Sequence, residues 1–66
     1  MTNKIKIERA IKNLTQEELA YKVKVSRQTI NAMEANKYVP STVLALKIAR
    51  IFNKMVEEIF ILEKND

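Results

Sequence analysis

Arg27, Gln28, Thr29, Asn31 and Ala32, close together near the middle of the chain, carry the groups best suited to recognition chemistry. Arg offers two parallel N–H donors, Gln and Asn each pair a donor with an acceptor, and Ala presents a methyl. No acid interrupts them. Such groups at the start of an exposed helix match the donor, acceptor and methyl pattern that base pairs display in a DNA major groove. Bond-making chemistry has far less to work with. The chain has no His and no Cys, which removes the commonest general base, the usual zinc ligands and any disulfide. It has no Gly with which to build a phosphate-cradling loop. Its adjacent acids, Glu17–Glu18 and Glu57–Glu58, read as helix starts, where carboxylates complement the dipole. An enzyme is not expected, and neither a cofactor nor a metal ion is implied.

Two short helices must hold that strip. Thr15 is followed three residues later by Glu18, a capping-box spacing that starts a helix at about Gln16. Leu19, Ala20 and Val23 then share one face at three- and four-residue spacing, the buried stripe of an amphipathic helix. Lys24 and Val25 break the pattern. Ser26 offers a second N-cap hydroxyl, so a new helix begins at Arg27 with Ile30 and Met33 as its apolar side. The pair of helices spans residues 16–35.

The runs T-Q-E-E-L-A (15–20), S-R-Q-T-I (26–30) and E-A-N-K (34–37) resemble the helix-turn-helix of the Cro/phage-repressor-like family, also called XRE-type regulators. The likeness extends to Arg9 upstream and to Y-V-P-S-T-V-L-A-L-K-I-A-R-I-F and V-E-E-I-F downstream, so nearly the whole chain is included. The resemblance implies an all-α fold: a compact five-helix lambda-repressor-like domain, with helices 2 and 3 as the helix-turn-helix, that binds operator DNA as a dimer. It also implies a partly buried ion pair between Arg9 and Glu34, tying the first helix to the recognition helix and leaving Arg9 near phosphate. Composition alone implies only a small basic helical domain.

With 66 residues the chain makes one domain, 1–66, and a chain this short buries only about 60% of its unfolded surface. Hydrophobic residues at 47%, one Pro and 30% charged residues argue for a folded protein. Net charge is +4, unevenly spread. Residues 1–40 hold eight Lys/Arg against four acids, while 41–66 hold four of each, so the excess lies in the half that carries the two-helix motif. That suits a phosphate-facing surface, although a generally basic protein would look the same. No apolar run approaches the ~18 residues that span a bilayer and no signal segment opens the chain, so a soluble cytoplasmic protein is expected.

Met1–Asn3 is expected to fray. Lys4–Lys12 reads as a first helix with two competing faces, Ile7, Ile11 and Leu14 on one side and Ile5, Glu8, Arg9 and Lys12 on the other. Helix ends fall at Asn13, Lys24, Asn36 and Asn53. Asn is the non-Gly residue most tolerant of left-handed backbone, and Lys24 would adopt it at a cost of order 1 kcal/mol. After the recognition helix, Pro40 holds Val39 extended and Ser41 caps a fourth helix, Ser41–Phe52. Its face of Ala45, Ile48, Ala49 and Phe52 suits a core, and Leu44 and Ile51 lie toward a second face. Val56, Ile59 and Phe60 form a short fifth helix. With Ile61 and Leu62 they make an apolar run expected to be the dimer interface, the alternative being a C-terminal segment folded onto Ile7 and Ile11.

The expectation is therefore a sequence-specific, DNA-binding transcription regulator. It would be a repressor that binds a palindromic operator in double-stranded DNA as a homodimer, through the helix beginning at Arg27. Arg27, Gln28, Asn31 and Ala32 would meet base edges. Gln16, Ser26, Thr29, Lys37, Tyr38 and Arg9 would meet phosphates. The alternative is an antitoxin or other protein-interaction module on the same fold, with a toxin or similar protein as partner.

Overall fold

Five helices account for most of the chain in the computed structural model, which describes residues 1–66: α1 (Ile5–Lys12), α2 (Gln16–Val23), α3 (Arg27–Glu34), α4 (Thr42–Phe52) and the one-turn α5 (Val56–Ile59). Thr15, Ser26 and Ser41 each turn a hydroxyl onto the first turn of a helix, accepting from the N–H of Glu18, Thr29 and Leu44 at 3.0, 3.1 and 3.2 Å. Each cap satisfies a backbone donor that the helix itself cannot. At Thr15 the box is complete, because Glu18 Oε1 accepts the Thr15 N–H at 2.9 Å.

The far ends of α1 to α4 share one device. Asn13, Lys24, Asn36 and Asn53 are left-handed, with φ of 56°, 61°, 61° and 54°. In each case the next residue donates its N–H to a carbonyl five positions back: Leu14 to Arg9, Val25 to Ala20, Lys37 to Ala32 and Lys54 to Ala49. This is the Schellman closure, usually built on Gly. A chain without Gly builds it three times on Asn and once on Lys.

The core gathers Ile5, Leu19, Ile30, Met33, Ile48 and Ile59, all fully buried, with one or more residues from every helix. Each such side chain contributes about 1.5–3 kcal/mol through burial. On α1 the face of Ile5, Glu8 and Arg9 turns inward, whereas Ile7 and Ile11 stay 58% and 67% exposed. The polar groups of that inward face are all paired, which makes the choice affordable. Glu8, only 5% exposed, accepts from Lys54 Nζ at 2.7 Å.

Both chain ends depart from expectation. Thr2–Asn3 forms a strand, β1, which runs antiparallel to β2 (Phe60–Ile61), with Thr2 opposite Ile61 and Asn3 opposite Phe60. Lys4 N–H extends the ladder to the Ile59 carbonyl at 2.8 Å. The first residues are therefore tied down rather than frayed. The fifth helix stops at Ile59, and the C-terminal segment meets the N-terminus instead of covering Ile7 and Ile11. Alternation along the strand sends Phe60 into the core and leaves Ile61 outward.

Lys24 carries the one left-handed site whose side chain disfavours it. Lys24→Gly should raise stability by up to about 1 kcal/mol, read as a higher urea midpoint at unchanged slope; a lower midpoint would mean that the strain relieved is smaller than the cost of ordering Gly from the unfolded chain.

Candidate nucleic-acid interface

The candidate interface is built on α3, whose Ile30 and Met33 are fully buried against the core. That orientation leaves the opposite side to solvent. Arg27 and Asn31 stack as one row at four-residue spacing, Gln28 and Ala32 as the next. Arg27, Gln28 and Asn31 are exposed and Ala32 is half-buried, its methyl at the margin. No acid lies among them, so the face offers donors, amides and a methyl without repelling phosphate.

A hydrogen-bonded network behind α3 fixes its angle. Glu34, in the last turn, takes Arg9 Nε at 2.5 Å and Nη2 at 3.1 Å in a two-pronged pair, with side chains 14% and 6% exposed. Arg9 Nη1 donates to the Leu14 carbonyl at 2.8 Å. Gln16 Nε2 donates to the same carboxylate at 3.0 Å, and Gln16 Oε1 accepts from Asn31 at 3.4 Å. One acid thus joins the first three helices. A carboxylate at a helix C-terminus opposes the dipole, and Arg9 offsets it. Burial alone would push the Glu34 carboxyl up; the hydrogen bonds from Arg9 and Gln16 outweigh it and hold the group below its ordinary value.

The residues expected to meet phosphate divide. Lys37 and Tyr38 stand exposed on the loop after α3. Ser26 and Thr29 flank the helix start, where their hydroxyls bond each other at 2.9 Å. Gln16 is half-buried and partly engaged by Glu34. Arg9 is committed to Glu34 and Leu14, a brace rather than a surface cation. The apolar run divides too. Ile59 and Phe60 belong to the chain's own core, Val56 packs partly against it, and only Ile61 and Leu62 face outward. Because Ile59 is fully buried, it cannot touch a second copy. Beside these residues lies a groove bordered by Val39, Pro40, Ala45, Leu46, Val56 and Phe60, with Thr42 and Glu57 also in its lining, and Val43 on the same helix as Leu46 is exposed.

Asn3 is the positioning residue that spacing could not reveal. Its amide donates to the Met33 carbonyl at 2.7 Å, closing the end of α3, and its oxygen accepts the Ile5 N–H at 3.2 Å, opening α1. Both contacts depend on the strand pair at the chain ends. No local signal announces them.

The sequence pattern of the helix-turn-helix family matches residues 5–59. An uncharacterized HTH-type transcriptional regulator of Methanocaldococcus jannaschii is 56% identical over all of both chains. One of Archaeoglobus fulgidus is 52% identical over all of this chain and 93% of its own, and one of Bacillus subtilis is 46% identical over all of both.

Glu34 should make stability depend on pH. Its folded pKa lies below the ordinary 4.5, so its stabilisation is complete above that value and is lost as the pH falls through the folded one. Glu34→Gln should therefore lower stability at neutral pH by about 2 kcal/mol, read as a lower urea midpoint, and flatten the decline of that midpoint on acidification. Parallel acid declines in the two proteins would remove Glu34 from this role.

Proposed function

We propose that this chain, which belongs to the helix-turn-helix family of DNA-binding transcription regulators, binds a palindromic operator as a homodimer and represses by occupying it. The observation that carries this reading is the outward row of Arg27, Gln28 and Asn31 on a helix locked from behind by Glu34. Seated in the major groove, Arg27 suits guanine O6 and N7, and Gln28 suits adenine N6 and N7. Asn31 and Ala32 serve a further base edge or a thymine methyl. Ser26, Thr29, Lys37, Tyr38 and Gln16 hold phosphates and set register, with the net charge of +4 drawing the duplex in. Arg9 acts through Glu34.

The groove beside Leu46 and Val56, with Val43, Ile61 and Leu62 around it, is the surface assigned to the second copy. To read both half-sites of a palindrome, a two-fold dimer must hold its recognition helices about one DNA turn apart, roughly 34 Å. Its site of action is the cytoplasm, where operator DNA lies. A bound dimer excludes other proteins from the same stretch of duplex, which is sufficient for repression.

Selection of bound sites from random duplex DNA at fixed salt tests this directly; the expected product is an inverted repeat with half-sites one turn apart. Gln28→Ala should then lose discrimination at one base pair, by ~1–3 kcal/mol. Lys37→Ala should weaken all duplexes alike and reduce the salt slope by about one phosphate. Equal loss of discrimination from both would refute this division of roles. Leu46→Glu should shift equilibrium sedimentation toward monomer, and a wild type already monomeric at tens of micromolar would end the dimer assignment.

A further inference from the structure

Five cations lie on a surface that recognition of a groove does not use. Lys12, Lys22, Lys24, Lys47 and Arg50 border two adjoining depressions of ≈ 330 and ≈ 230 Å³, which share Lys22 and the half-buried Ile51. Leu14 and Val23 complete the lining, and none of Arg27, Gln28 or Asn31 borders either one. The chain's ion pairs involve the Met1 amine, Arg9 and Lys54, so all five are unpaired. Glu18, the acid that senses Lys22, is occupied by the Thr15 capping box. Part of the clustering has a local cause: Lys12, Lys22 and Arg50 stand in the last turns of α1, α2 and α4, where cations complement the dipole. Lys47 sits inside α4 and has no such reason to be there, nor does the apolar floor.

We propose that this surface docks an acidic segment of another protein, one that sets Asp and Glu side chains around an apolar residue seated over Ile51 and Leu14. An apolar centre ringed by complementary charge is the form of a protein interface. A phosphate backbone is met in large part by helix N-termini, backbone N–H groups and hydroxyls. Here the last turns of three helices converge, and neither a helix N-terminus nor a Ser, Thr or Tyr hydroxyl borders the depressions. The proposal uses no residue of α3 and stands apart from the operator reading.

The test is amide chemical-shift mapping on the full chain at physiological salt, titrated with a short peptide in which Asp and Glu flank a Leu–Phe pair. Saturable shifts should centre on Leu14, Lys22, Lys24, Lys47 and Ile51, and the peptide with Gln and Asn in place of its acids should cause none. Lys47→Glu with Arg50→Glu should weaken the complex roughly tenfold while lowering the thermal midpoint only slightly, the loss of the Arg50 charge at the end of α4 being a small cost. If that pair disturbs folding, Lys12→Gln with Lys22→Gln serves, with the same loss expected. Shifts centred on α3, shifts spread evenly over all lysines, or a non-operator duplex that moves these amides when the peptide does not would each overturn the proposal. Failure of every duplex to engage α3 would leave it intact.

Discussion

The Glu34 carboxylate is the constraint on which the rest of the molecule depends. It sits where helix electrostatics disfavours it, at the negative end of α3, and it is largely withdrawn from water. A buried acid without partners would be intolerable there. Meeting its requirements brings Arg9 from the first helix and Gln16 from the second to one point, and that convergence sets the pitch of the third. Its contribution to net stability is modest, because desolvation of the pair offsets much of the attraction. Its contribution to geometry is large. Two hydrogen bonds from a planar guanidinium tolerate little rotation, so the outward row on α3 inherits a defined angle.

Local signals made most of this arrangement readable. Thr15 with Glu18, Ser26 and Ser41 announced the starts of α2, α3 and α4, and Asn13, Asn36 and Asn53 announced the ends of α1, α3 and α4, because capping is chemistry between near neighbours. Arg9 with Glu34 is separated by 25 positions and came from the family resemblance alone. What stayed hidden is non-local in the same way. The choice of face on α1 turned on Glu8 meeting Lys54, 46 positions away, a contact with no periodic signature. The strand pair joins opposite ends of the sequence, and two residues are too few to show alternation. The run Ile59–Leu62 looked too apolar for one core; its residues instead divide between core and surface once the chain leaves the helix at Phe60.

Charge also divides in a way that linear bookkeeping misses. The cationic excess of residues 1–40 suggested a single phosphate-facing side. Folded, Arg27 lies on the outward side of α3 and Lys37 on the loop after it, Arg9 is neutralised, and Lys12, Lys22 and Lys24 join Lys47 and Arg50 from the balanced half on another surface. Long-range attraction to a polyanion draws on all of them, since fields add over distances near the Debye length. Contact at close range does not.

The four left-handed helix ends carry an implication for how this domain meets a duplex. Without glycine the chain has no low-cost hinge, and each junction between the first four helices is pinned by paired backbone bonds. On the proposed operator reading, a recognition helix held this firmly leaves more of the accommodation to the nucleic acid. Steps that bend or unstack readily, such as TA and CA, then become cheaper to engage than stiff tracts, even at positions no side chain reaches. Selectivity, on that reading, would be written partly in the mechanics of the target.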